Sequence, residues 1–281
     1  RARNPASTDG AYSAPGAHVP PMHRRATLIG MVSVLAFGAG TALMTRAHAK
    51  LAWAKPATDT AAAIAALHRM GACLRAQQAF IVKSQQATDD VTASGQKVQY
   101  EGTVLLKVRR PDRLEMEIDA DRRHEHIYYD GKTFALVADK AGYYAEFAAP
   151  PTLAELKDVL EKTYGLDLPL ADLFYWGTDE DGTAAIKSGE LVGTSTLNGV
   201  ACDHYAIRQA DIDWEIWIEQ GARPLPRKVV ITTVTDRTQP QHVMTLDWNL
   251  NVKLGDDQFA FSPPSNAVRI AFDQVKGPGK P

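Results

Sequence analysis

"DWEIWIEQGARPLPRKVVI", residues 213–231, carries two alternating arms around a Gln-Gly turn. Trp214, Ile216 and Ile218 fall on one face of the first arm, and Asp213, Glu215, Trp217 and Glu219 on the other. A period of two with one polar face predicts a strand wetted on one side. Gln220-Gly221 supplies the turn, and Pro-Leu-Pro leads into a returning arm through Val229, Val230 and Ile231. The stretch reads as a β-hairpin whose Trp214 face belongs to a core or lines a cavity. Trp217, between two glutamates, is expected to pack on long side chains of a neighbouring strand or to anchor a partner.

The same period extends in both directions. In "HVMTLDWNLNV" (242–252), Met244, Leu246, Trp248, Leu250 and Val252 oppose Thr245, Asp247, Asn249 and Asn251. In "RLEMEID" (113–119), Leu114, Met116 and Ile118 oppose Glu115, Glu117 and Asp119. "VQYEGTVLLKV" (98–108) alternates similarly, and Asp130-Gly131 and Asn198-Gly199 offer the positive-φ residues of tight hairpin turns. Strands are expected up to Phe147, then over 185–196, 199–208, 212–219, 226–235 and 241–252.

Two regions follow helical spacing instead. Ile64, Leu67, Cys73 and Leu74 predict an amphipathic helix over Asp59–Gln78, capped by Thr58 or Asp59. After Pro150-Pro151, Leu153, Leu156, Val159 and Leu160 share one face of a helix that Gly165 would close, and a second short helix is expected from Pro169. The fold class is therefore α+β. A sheet of about 10–11 antiparallel strands accumulates twist and must curl, so the prediction is an incomplete β-barrel under an α-helical lid.

Arg24 and Arg25, an apolar run from Leu28 to Leu43, and Ala47-His48-Ala49 predict a secretory signal peptide, with Met22 as start and cleavage after Ala49. The run, about 16 residues, falls short of the roughly 20 that a membrane span needs. Residues 1–49 are thus expected to be upstream extension plus signal, 50–272 a single domain and 273–281 a disordered tail. Removing the first segment takes away five arginines and one aspartate, leaving a chain six charges negative, with no electrostatic reason to seek nucleic acid. Cys73 and Cys202 are a candidate disulfide in an oxidising compartment; the alternative is two thiols that never meet.

Motifs for chemistry are weak. His124 and His126 share a strand face, but zinc needs a third ligand and outer support. "DEDGTAAIKSGE" (179–190) places Ala184 where a calcium loop requires glycine. Neither Gly-x-Ser-x-Gly nor His-Glu-x-x-His occurs. The expectation is no enzyme, no metal and no cofactor.

"RRPDRL" (109–114), "YYDGKTFAL" (128–136), "YGLDLPLADLF" (164–174), "GVACDHYAIR" (199–208), "DWEIWIE" (213–219), "PLPRKVVIT" (224–232) and "FSPP" (261–264) give a more specific likeness. Over 59–272 the chain resembles the predicted periplasmic proteins called domain of unknown function 2092, within the LolA/LolB-like superfamily. The resemblance implies a half-barrel whose space beneath a helical lid holds a lipid or acyl chain. Leu114, Met116, Ile118, Leu153, Leu156, Val159, Leu160, Phe174, Trp214, Ile216 and Ile218 are then the cavity candidates. The resemblance also allows a second role, binding an envelope protein without a ligand.

Overall fold

The computed structural model describes residues 59–174, 176 and 182–274; the predicted export segment, most of the expected tail and the start of the calcium-like loop lie outside them. Helix α1 (Thr60–Ala76) begins where Asp59 accepts a hydrogen bond from the Ala62 N–H at 2.9 Å. Its buried residues Ala63, Ala66, Leu67, Met70, Gly71 and Leu74 form one stripe. Six strands follow as a meander: β1 (Ala79–Val91), β2 (Lys97–Arg109), β3 (Arg113–Ala120), β4 (Arg123–Tyr129), β5 (Thr133–Ala138) and β6 (Tyr143–Ala148).

Helix α2 (Leu153–Val159) is capped by Thr152, whose Oγ1 accepts from the Glu155 N–H and donates to the Glu155 carboxylate. The predicted helix runs on as a π-helical turn, Leu160–Tyr164, and stops at Gly165 with φ 62°. The second predicted helix is only a 3-10 turn, Ala171–Phe174. Leu170 takes φ 61°, a left-handed conformation that a helix starting at Pro169 cannot contain. A second meander then runs through β7 (Ser188–Leu197), β8 (Val200–Arg208), β9 (Ile212–Glu219), β10 (Pro226–Thr233) and β11 (Gln241–Asn249).

The two meanders join where β1 pairs antiparallel with β11, Val82 opposite Trp248. Among the described residues the order is β12-β6-β5-β4-β3-β2-β1-β11-β10-β9-β8-β7, twelve strands in one sheet. This exceeds the predicted number by the three-residue β12 (Val268–Ile270), which lies parallel to β6. Its brevity left no periodic signal. The edges β12 and β7 do not pair with each other, so the curved sheet stays an unclosed barrel.

Even-numbered residues of β2 and β3 and alternate residues of β8 and β9 face the helices. Leu106, Leu114, Met116, Ile127, Phe134, Ile207, Ile216 and Leu246 join Leu67, Met70, Leu74, Leu156 and Leu160 in one apolar cluster. α1 sits close on β7: the Gly189 N–H donates to Thr60 Oγ1 at 3.1 Å, and a Cβ at Gly189 would stand 2.7 Å from that of Ala63. α2 and its turn serve the other half, with Leu153 N–H on the Pro111 carbonyl and Tyr164 against Phe147. The predicted half-barrel with a helical roof is the observed architecture.

Candidate functional site

The expected cavity residues come together. Leu114, Met116 and Ile118 from β3, Trp214, Ile216 and Ile218 from β9, and Leu153, Leu156 and Leu160 from the lid lie in the same cluster, each no more than 7% exposed. Val159 is half-buried beside them. Phe174 lies in the 3-10 turn, and its side chain falls outside the described part. The space between these two sets is taken by the molecule's own side chains, chiefly Leu67, Met70 and Leu74 of α1 with Phe80 and Leu106. Surfaces so fully covered are packed interior rather than the wall of a water-filled hollow.

An opening does exist along one flank of α1. Ala66, Arg69, Cys73 and Ala76, three and four residues apart on that helix, form one bank of a groove of about 760 Å³. Tyr205 of β8, Ile218 of β9 and the turn through Gly221, Ala222, Arg223 and Pro224 form the other. Ala66, Tyr205 and Ile218 belong also to the buried cluster, so the floor of the groove is the edge of the core. The sequence pointed to Ile218 alone among these. The small residues of α1 and the β9–β10 turn carry no periodic signature, although the 66–69–73–76 spacing was available as a helix flank.

The acids at this groove are already engaged. Asp203 accepts from Gln220 Nε2 at 2.6 Å, and Glu219 accepts from Arg227 at 2.6 and 3.0 Å. Burial pushes the Cys73 thiol above its ordinary range, with the Arg223 charge opposing. Burial likewise raises the Tyr205 phenol, assisted by Asp203 and opposed by Arg69. Both arginines therefore act on groups in the groove.

The candidate disulfide is not formed; Cys73 and Cys202 are both free thiols. The reason is the parity of β8. Tyr205 and Ile207 point to α1, so Cys202, with His204 and Ala206, points to the opposite face of the sheet. Cys202 is fully buried there, opposite Glu219 in the register and with its Sγ 3.5 Å from the Val200 carbonyl. Cys73 lies on the α1 side.

His124 and His126 also face away from α1 and have separate partners, His126 Nε2 lying 3.6 Å from Glu117. His124 Nε2 lies 2.7 Å from Asp119, and His126 Nδ1 lies 3.2 Å from the Tyr128 hydroxyl. Among the described residues no group of three or more His, Cys, Asp or Glu side chains could hold a metal. A second, polar groove of about 770 Å³ crosses this outer face past Gln85, Thr103, Asp119 and His124.

The chain is similar to several solved structures. Lipoprotein LppX of Mycobacterium tuberculosis shares 10% identity and a TM-score of 0.41, over 70% of this chain and 100% of that one. LprF of Mycobacterium bovis shares 10% identity and a TM-score of 0.37, over 75% of this chain and 100% of the other. The LolA superfamily protein NE2245 of Nitrosomonas europaea shares 13% identity and a TM-score of 0.31, over 71% and 97%. No curated protein matches the sequence. The model of the DUF2092 family, described as predicted periplasmic protein, matches residues 63–273, and the chain belongs to that family of periplasmic proteins.

Proposed function

We propose that the protein is a periplasmic binding module for a hydrophobic ligand, taken up between the half-barrel and its helices without covalent chemistry. The observation that supports this is the groove beside α1, whose floor of Ala66, Tyr205 and Ile218 is continuous with the core. Its volume, about 760 Å³, lies in the range of small-molecule sites. Each Å² of apolar ligand surface covered there contributes roughly 25 cal/mol. In this reading Ile218 is the contact at the mouth. Trp214, Ile216, Leu114, Met116 and Ile118, with Leu153, Leu156, Val159, Leu160 and Phe174 of the lid, are the wall behind it, reached by a chain that displaces side chains of the packed interior.

Native mass spectrometry of the protein isolated from its own periplasm tests the reading. A co-purifying lipid or acyl compound is expected. A ligand-free protein carrying a stoichiometric protein partner instead favours the second reading, an interaction module. That alternative has one observation of its own: the edge strand β7 exposes Leu191 at 45% and Val192 at 43%.

A further inference from the structure

Arg69 on α1 and Arg223 in the β9–β10 turn stand on opposite banks of the same groove, and both are exposed. Neither guanidinium carries an ion pair or hydrogen bond among the described residues. Two carboxylates line the groove with them: Glu219 is neutralised by Arg227, whereas Asp203, hydrogen-bonded by the neutral Gln220 amide, keeps its charge, so the groove carries one net positive charge. Between the two arginines runs an apolar strip of small side chains, Ala66, Ala72, Cys73 and Ala76 facing Tyr205 and Ile218, with Gln77, Asp203, Glu219 and Gln220 as the polar part of the lining. The groove thus offers a partly apolar trough with an arginine free of ion pairs on each bank and a net positive charge.

From this charge arrangement we infer that the ligand is a single-chain anionic amphiphile, its alkyl chain on the alanine flank of α1 and its acidic headgroup between Arg69 and Arg223. A carboxylate or phosphate matches the planar donor fork of arginine, which favours acidic oxygens over other headgroups. Trimethylammonium would meet two like charges. A neutral sugar would gain the chain's burial only. The inference rests on the hydrophobic-ligand reading and narrows it to one class of headgroup.

The test uses the protein with its export segment removed and three probes of one chain length, each below its micelle concentration: dodecyl phosphate, dodecyl maltoside and dodecyltrimethylammonium. Affinities are measured by calorimetry for the native protein, for the double variant Arg69→Gln/Arg223→Gln, and for Ala72→Trp, which fills the trough while keeping both arginines. The phosphate is expected to bind about tenfold tighter than the maltoside at low salt, with the ammonium weakest, and that advantage is expected to shrink as salt rises. The double variant is expected to lose the advantage while holding the maltoside as before, and Ala72→Trp to weaken all three. Equal binding of the three probes, or a preference that survives in the double variant, overturns the anionic headgroup and leaves the hydrophobic-ligand reading standing. Binding undisturbed by Ala72→Trp overturns the location. Failure of every probe to bind the native protein overturns both the inference and the reading beneath it.

Discussion

The imidazole of His204 lies flat on the indole of Trp217, ring centroids 3.8 Å apart and planes within 9°. Lys228 Nζ sits 4.8 Å from the same indole, and Glu215 takes His204 Nε2 at 2.7 Å. These residues are cross-strand neighbours in the register of β8, β9 and β10, on the face away from α1. The second tryptophan of the opening hairpin is therefore a fastener between three strands, the first of the two roles its position allowed.

Trp217→Ala is expected to lower stability by about 1–2 kcal/mol through loss of the stack and the cation–π contact. Trp214→Ala, on the core face, is expected to cost about 3–5 kcal/mol. Denaturant unfolding of the two variants measures both. Because Trp217 faces away from the groove, its variant should bind ligands as the native protein does.

The close seat of α1 on β7 depends on Gly189. Gly189→Ala would force its Cβ against Ala63, 2.7 Å away, and is expected to destabilise the fold by about 1–3 kcal/mol. Thermal unfolding reads the loss. Pairing it with Ala63→Gly should recover part of it if the contact is the cause.

Acid should loosen the joint between the two meanders. Asp89 accepts from Lys97 at 2.8 Å, from Gln99 at 3.1 Å and from the Gln241 N–H at 3.1 Å, binding β1 to β2 and β11. The hydrogen bond from Lys97 is the largest cause holding its carboxyl below the ordinary 3.8, with the Gln241 and Gln99 bonds adding to it. A depressed folded value stabilises the protein at pH above 3.8, and that contribution disappears as the pH falls through the lower folded value. Asp89→Asn should be less stable than the native protein at neutral pH, and the difference should close as the pH drops below 3.8, followed by urea unfolding across that window.

Much of the strand layout was legible because alternation is local. Leu114, Met116 and Ile118, and Trp214, Ile216 and Ile218, sit on the face their spacing assigned. The same rule, applied to β8, already separates Cys202 from Tyr205 and Ile207, so the absence of a disulfide with the α1 cysteine could have been read from parity. The junction of β1 with β11 could not. It brings Val82 to Trp248 across most of the chain, and no local pattern announces a pairing between strands that distant. The groove was hidden for a related reason: one bank is a turn, the other a run of alanines, and neither stands out until the fold sets them face to face.

A ligand in the groove would lie against Cys73, whose partly covered thiol borders it, while Cys202 is sealed on the far face. In the folded protein, alkylation by N-ethylmaleimide should modify Cys73 slowly and leave Cys202 untouched until unfolding. The most direct measurement is that Cys73 rate with and without saturating dodecyl phosphate, read by mass spectrometry. Bound ligand is expected to slow the reaction about tenfold, because the thiolate reacts only where it is accessible. An unchanged rate at saturation, with binding verified in the same sample, would contradict it.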